Sequence, residues 1–550
     1  MNQNSESPKP TAMEIQNENI KTLIIDIRER IGRPVSNRVV VATIESLGIR
    51  NKDTEADFGI PSIYELADLV YYELTTSEDH IGAKNLKEKE ALETGPKMIQ
   101  LSDYMWVKTK IFLKYYPKGI LHLLPVLLQI VAIVIFGYSL WTYVGFNQVQ
   151  STAVVLGVII GLVSTGGFVQ VIGKQASFYY NHEDYVMVRE TVNYLLKAGS
   201  VSIGVVLAMI FVCNFFFHIY PYEVLLVVFV YAFLIGLLLL LLAPLHTIQQ
   251  RWVISLAIIT GTAVAITLKE QTTLMTYITH WIGIATAVVI AKVFLVLFFR
   301  SKIRKNKSHS NLRVKSAIIL YHNYKYFLYG IFVYIFIFTD RILAWSCPQS
   351  NGPLPFIVLF EKNYELGMDM AILVFLLLAG VLEFSIASFT KFLDIGQKVT
   401  AYNNPEFFNK QLKKMYWQHI GFLFLTSAAV FVLIYYIMYA SWGYSGQFNE
   451  ELLSVSVKVC VIGGIGYMLL AWGMLNTLYL FTLGQPSKPL KAIITACLVN
   501  LVVGFVLSRF VAYEYSVIGM LVGAAVFMLM TLRANIKFFN NLDYHYYAAY

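Results

Sequence analysis

Residues 223–243 read EVLLVVFVYAFLIGLLLLLLA, a run whose one ionisable carboxylate stands at its first position. As an α-helix rising 1.5 Å per residue, a run of this length reaches across a hydrocarbon core of ~30 Å. A helix in lipid satisfies its own backbone hydrogen bonds, so the run reads as a spanning segment. Eleven more apolar runs surround it. They lie near 120–143, 151–172, 201–220, 252–268 and 275–299, then 321–345, 366–390, 417–441, 456–482, 492–508 and 515–534. Hydrophobic residues make up 57% of the chain, charged residues 14%, and the mean hydropathy is +0.59. A soluble chain carries about a quarter charged residues. The sequence therefore predicts an all-α membrane protein with twelve transmembrane helices.

The +9 net charge is unevenly spread. With the N-terminus inside, the inner gaps hold twenty lysines and arginines, among them Lys174, Lys197, Arg251, Arg300, Lys391, Lys413, Lys488 and Lys537; the outer gaps hold only Lys269, Lys362, Lys458 and Arg509. That asymmetry puts both termini in the cytoplasm. It also leaves no basic face for nucleic acid. Cys213, Cys460 and Cys497 sit in apolar runs and Cys347 stands alone in an outer loop, so neither a metal spacing nor a disulfide framework is expected. The opening MNQNSESPKPTAMEI has no apolar core, and no cleaved signal peptide is expected.

Four regions follow. Residues 1–112 form a small helical cytoplasmic module, its first 20 residues disordered, with helical periodicity in KTLIIDIRERI, RVVVATIESLGI and PSIYELADLVYYEL. The stretch Leu101–Lys118 mixes aromatics with lysines and reads as lying along the inner surface. Residues 113–300 hold the first six spans, 301–317 a basic linker, and 318–550 the second six spans and a tail. In each half the longest inner loop follows the second span: residues 173–200 in one, 391–416 in the other. Matching loop placement points to a parallel duplication, with the substrate path between the two halves.

Ionised groups gather in the second half. Asp340 and Arg341 come late in span seven, Asp369 early in span eight, and Glu383 deeper in that span. A charge at mid-bilayer costs ~3 kcal/mol, so such groups face a bundle interior or a watery path. Asp369 and Glu383 are four helical turns apart on one face, about 21 Å by helical rise. Glu383 is the candidate for proton coupling, or else it pairs with a neighbouring basic group. Arg341 is placed to reach Asp369 or Glu365 as an outer gate, or to snorkel beside Trp345. Lys292 is weaker, since it can snorkel inward. Tyr329, Phe332, Phe336 and Asp340 share a face of span seven; aromatic rings stack on sugars, and they also pack against lipid and protein. Glycines at 157, 161, 463, 464 and 466 allow close helix approach.

The stretches YKYFLYGIFVYIFIFTDRILAWS (324–346) and YELGMDMAILVFLLLAGVLEFSIASFTKFLDIGQ (364–397) resemble the Pel-type exopolysaccharide transporters of bacteria, a branch of the flippase superfamily that also holds multidrug exporters and oligosaccharide-lipid flippases. The resemblance covers the twelve-span core. It implies two six-helix bundles in a V around a central cavity, in the bacterial inner membrane. It also implies export of a nascent polysaccharide beside a cytosolic glycosyltransferase and further membrane subunits, without cofactor or metal. Asp340, Arg341, Asp369 and Glu383 fall in the matching segments; the module before residue 112 is not something that core requires. Other readings compete. A cation-coupled multidrug exporter wants a carboxylate deep in the first half, and span one has none. A flippase for lipid-linked oligosaccharide wants several cavity cations, and a synthase scaffold has no reason to bury Glu383. No loop carries a catalytic constellation, so an enzyme is the least expected.

Overall fold

The computed structural model describes residues 12–31, 34, 36–76, 109–110, 112–117, 119, 124–306, 316–347, 356–399, 405–440, 443–444, 446 and 452–540. Four helices come first: α1 (Ala12–Ile31), α2 (Asn37–Ser46), α3 (Thr54–Phe58) and α4 (Ile63–Thr76). They close on their own core, in which Ile27, Val40, Ile44, Leu66 and Val70 are fully buried. The expected disorder over residues 1–20 is corrected from residue 12 onward, because α1 begins there and Ile20 extends its apolar face onto that core. Most of Leu101–Lys118 lies outside the described residues. Within it, Phe112 and Tyr116 pack against Phe422, with ring centres 5.6 and 6.1 Å away.

The membrane part continues with α5 (Leu124–Phe136), α6 (Gln148–Asn181), α7 (Tyr185–Phe217), α8 (Tyr222–Thr247), α9 (Arg251–Gln271) and α10 (Thr276–Asn306). After the linker, whose residues 307–315 lie outside the described set, come α11 (Ser316–Trp345), α12 (Lys362–Val399), α13 (Pro405–Tyr439), α14 (Ser454–Thr482), α15 (Ser487–Phe510) and α16 (Ser516–Phe539). Among the described residues, eleven helices, α6 to α16, are long and apolar enough to cross a membrane.

Three expectations are corrected. The run 120–143 is not one helix to its end. Its described helix stops at Phe136, Gly137 turns with a φ of 63°, and the chain folds back so that Gln129 Oε1 accepts the Leu140 N–H at 2.7 Å. Hydropathy cannot separate a helix from a buried turn. The long loop at 173–200 is likewise no loop: α6 and α7 run on past the apolar runs and turn within 182–184. Asp184 caps α7 by accepting the Met187 N–H at 3.0 Å. The amphipathic pattern there reflects helix ends that bury Ile172, Ala176, Val188 and Val192 together. At 34 residues, α6 is about 51 Å long and overhangs a 30 Å core. The loop at 391–416 is corrected in the same way: α12 reaches Val399, α13 begins at Pro405, and only residues 400–404 lie outside the described set.

The same helix pairs meet in both sets of six. The second helix packs on the fourth through glycine: Gly161 of α6 lies against Ala232 and Gly236 of α8, and Gly463 of α14 against Met368 and Ala371 of α12. The fifth meets the sixth through Gly261 and Gly283, and through Gly504 and Gly519. A Cβ at Gly161, Gly261, Gly283 or Gly519 would fall within 2.9 Å of a neighbouring helix's backbone, so there only glycine permits the approach.

Candidate functional site

Two seams join the halves, and each is a glycine crossing. Gly166, midway along α6, lies on Gly330, midway along α11; a Cβ on Gly166 would sit 2.8 Å from the Gly330 carbonyl. Gly119, before α5, lies on Gly380, midway along α12, where a Cβ would fall 2.5 Å from Cα. Between the seams lies a cavity of ≈ 580 Å³. It is lined from α5, α6, α8, α9, α12 and α14, on the side of the basic turns. Its walls are mainly leucine, isoleucine and valine, and its polar groups are Gln170, His246, Thr247, Arg251 and Glu383. No aromatic side chain lines it among the described residues.

Glu383 therefore does line the space between the halves, as its position in span eight suggested. It is also paired: Arg251 Nη2 donates to Glu383 Oε1 at 2.8 Å, with side chains 19% and 28% exposed. This ion pair ties the first turn of α9 to α12, across the two halves. The sequence offered Glu383 but not its partner, which lies 132 residues away in what read only as an inner basic turn.

The opposite side is closed by hydrogen bonds. Gln148 Nε2 donates to the Phe360 carbonyl at 2.7 Å, and the Phe360 N–H donates to Thr152 Oγ1 at 2.9 Å. Tyr220, in the α7–α8 turn, donates its hydroxyl to the Val358 carbonyl at 2.8 Å and stacks on Phe356. Burial pushes the Tyr220 hydroxyl up to about 12, so it stays protonated and donating near neutrality.

The remaining charged candidates form a second network, wholly inside the second set of six helices. Tyr364 donates to Asp340 Oδ2 at 2.7 Å. Arg341 Nη1 donates to Glu365 Oε2 and to Asp369 Oδ1, the latter at 3.2 Å. Arg341 and Glu365 are 5% and 4% exposed, whereas the Asp369 side chain is 67% exposed. Arg341 does reach both expected partners, but it joins α11 to α12 within one half and does not span the cavity. With both buried carboxylates ionised, Asp340 and Glu365 outnumber Arg341 by one. Asp340 Oδ1 and Glu365 Oε1 are buried without a hydrogen-bond partner.

Tyr329 and Phe336 do not line the cavity. They are 3% and 0% exposed in the core of the second half, where Tyr329 meets Phe481 edge-on and the Phe336 carbonyl accepts from Asn500 at 3.1 Å. Their helical spacing marks an inward-packed face, the bland alternative to a sugar path.

The sequence reading missed the first half's counterpart. Gln129 donates to Thr262 at 2.9 Å, Tyr138 and Thr279 share a bond of 2.7 Å, and Tyr231 meets His280 Nδ1 at 2.6 Å. Gln129 and His280, polar residues buried in apolar runs, were the available signal.

No protein-family model matches the sequence, and neither does any curated protein. Solved structures do match. An inward-facing multidrug resistance MATE family transporter of the MOP superfamily aligns with a TM-score of 0.53 at 14% identity, covering 78% of this chain and 97% of the other. A MATE structure in a bent conformation aligns with a TM-score of 0.52 at 15% identity, covering 79% and 97%. At these identities the likeness is one of fold: the chain is a multi-pass membrane protein with the helical architecture of MATE transporters of the flippase superfamily.

Proposed function

We propose that this protein is an alternating-access transporter that carries an amphipathic substrate through the cavity between its two sets of six helices. The observation that carries the reading is the cavity itself, which lies between the two sets on the side of the basic turns and is bridged from one set to the other by an ion pair. Three backbone-anchored hydrogen bonds and the Tyr220–Phe356 stack seal one side; on the side where the cavity lies the Arg251–Glu383 ion pair bridges the halves, beside a hydrogen bond from Asn323 to Gln175 and the Lys174 ammonium over the Tyr326 ring. A part-exposed ion pair contributes little and exchanges readily with water, which suits a bridge that opens in each cycle. The leucine-rich walls suit an apolar body, and Gln170, His246 and Arg251 suit a polar head.

Lipid-linked oligosaccharides and hydrophobic drugs both have that form. Export of a nascent exopolysaccharide beside a glycosyltransferase draws support from the resemblance at 324–346 and 364–397, and from the helical module as a dock. The lining lends it none, since the aromatic face of α11 is packed away. Proteoliposomes loaded in parallel with a fluorescent lipid-linked oligosaccharide and a fluorescent hydrophobic cation test the proposal. Transport of either above empty-vesicle rates, stopped by cross-linking an Arg251→Cys, Glu383→Cys double variant, is the expected result. Movement of neither, with polymer export in cells dependent on the chain, replaces the amphipathic substrate by a polysaccharide.

A further inference from the structure

On the outer flank of the first six helices a groove of ≈ 540 Å³ runs between α7, α8 and α10. It is separate from the central cavity and faces lipid. Leu237, Leu240 and Val289 form part of its wall, and two lysines open into it, Lys197 from α7 and Lys292 from α10. Both lysines are exposed, and no acidic side chain lines the groove among the described residues. Lys197 stands 20 residues from Phe217, the far end of α7, and Lys292 stands 16 residues from Thr276, the far end of α10. At 1.5 Å per residue those depths are about 30 and 24 Å. Both ammonium groups thus come to the edge of a ~30 Å hydrocarbon core, on the side of the basic turns.

Each lysine alone would be ordinary snorkelling. Two cations converging on one apolar slot, from helices adjacent in space and nearly a hundred residues apart in sequence, ask for an anion between them. The slot selects which anion. A free phosphate gains nothing from leucine and valine walls, whereas a lipid fills them with acyl chain while its phosphate meets the ammonium groups. Asn193, one turn further toward the basic side on α7, lies where the rest of a headgroup would sit. We propose that this groove binds an anionic glycerophospholipid, its phosphate held by Lys197 and Lys292 and its chains laid along α8 and α10.

The test is native mass spectrometry of the full chain released from nanodiscs of equal phosphatidylglycerol and phosphatidylethanolamine. The parent should retain phosphatidylglycerol in preference. A Lys197→Gln, Lys292→Gln double variant should lose that preference roughly tenfold or more, and the Lys197→Arg, Lys292→Arg double variant should keep it. Equal retention of both lipids by the parent overturns the proposal whatever the variants do. So does parent-level preference in the glutamine variant. Displacement of the lipid by excess inorganic phosphate in the buffer overturns the lipid assignment in favour of a simple anion site. If the glutamine pair fails to fold, Lys292→Gln alone must still lower the preference several-fold.

Discussion

The two sets of six helices share a scaffold and differ in what they bury. In the first, Gln129, Tyr138, Tyr231, Thr262, Thr279 and His280 make a network of hydrogen-bonding side chains. In the second, Asp340, Arg341, Tyr364 and Glu365 make an ionic one. A hydrogen bond between uncharged groups costs little to bury, and even the one ring nitrogen this network leaves unmet, His280 Nε2, strands no carboxylate. A buried ion keeps its desolvation penalty unless its partner and every remaining lone pair are met. Asp340 and Glu365 each leave one oxygen unmet. One scaffold thus holds a half whose buried polar network is uncharged and a half whose charge balance depends on a single arginine.

That contrast can be broken by mutation. Arg341→Ala should cost about 3–5 kcal/mol, because it strands the buried Glu365 carboxylate, and thermal unfolding in detergent would show it. Gln129→Ala in the first set should cost less, about 1–3 kcal/mol, since it leaves only the Leu140 N–H wanting while the Thr262 hydroxyl keeps its bond to the Ile258 carbonyl. Equal losses for the two would erase the distinction. Asp369→Asn sharpens it: with its side chain mostly in solvent, this partner of Arg341 should be worth under about 1 kcal/mol.

The remaining predictions compare the two sides of the cavity. Glu383→Gln should change stability by about 1 kcal/mol yet reduce transport roughly tenfold, read as initial rates in proteoliposomes. The charge-swapped Arg251→Glu, Glu383→Arg pair should restore it; a fully active Glu383→Gln would take the ion pair out of the cycle. On the opposite side, Tyr220→Phe should cost about 1 kcal/mol. Because burial holds that hydroxyl up to about 12, closure there should not vary between pH 5 and 9 in a cysteine cross-linking assay. Titration of the contact in that range would contradict the assignment.

Much of this was legible without coordinates. Hydropathy located each of α6 to α16, because spanning is a property of each segment summed over its own length, although α6, α7, α12 and α13 run well past their apolar stretches. The glycines at 157, 161 and 463 announced close packing for the same local reason. The acidic and basic residues of spans seven and eight were visible as anomalies against an apolar background, and Arg341 found the partners its position allowed.

Partners and facing were not legible, since both depend on segments far apart in the chain. Glu383 read as a lone carboxylate until α9 brought Arg251 to it. The aromatic face of α11 read as a path or a packing surface, and only its neighbours α14 and α15 turned Tyr329 and Phe336 into core. By itself the sequence determined how many segments seek the bilayer, and which side the charges prefer. Tertiary structure alone decided which buried charges are neutralised and where a cavity opens, because pairing and void are properties of helices meeting, not of any one helix.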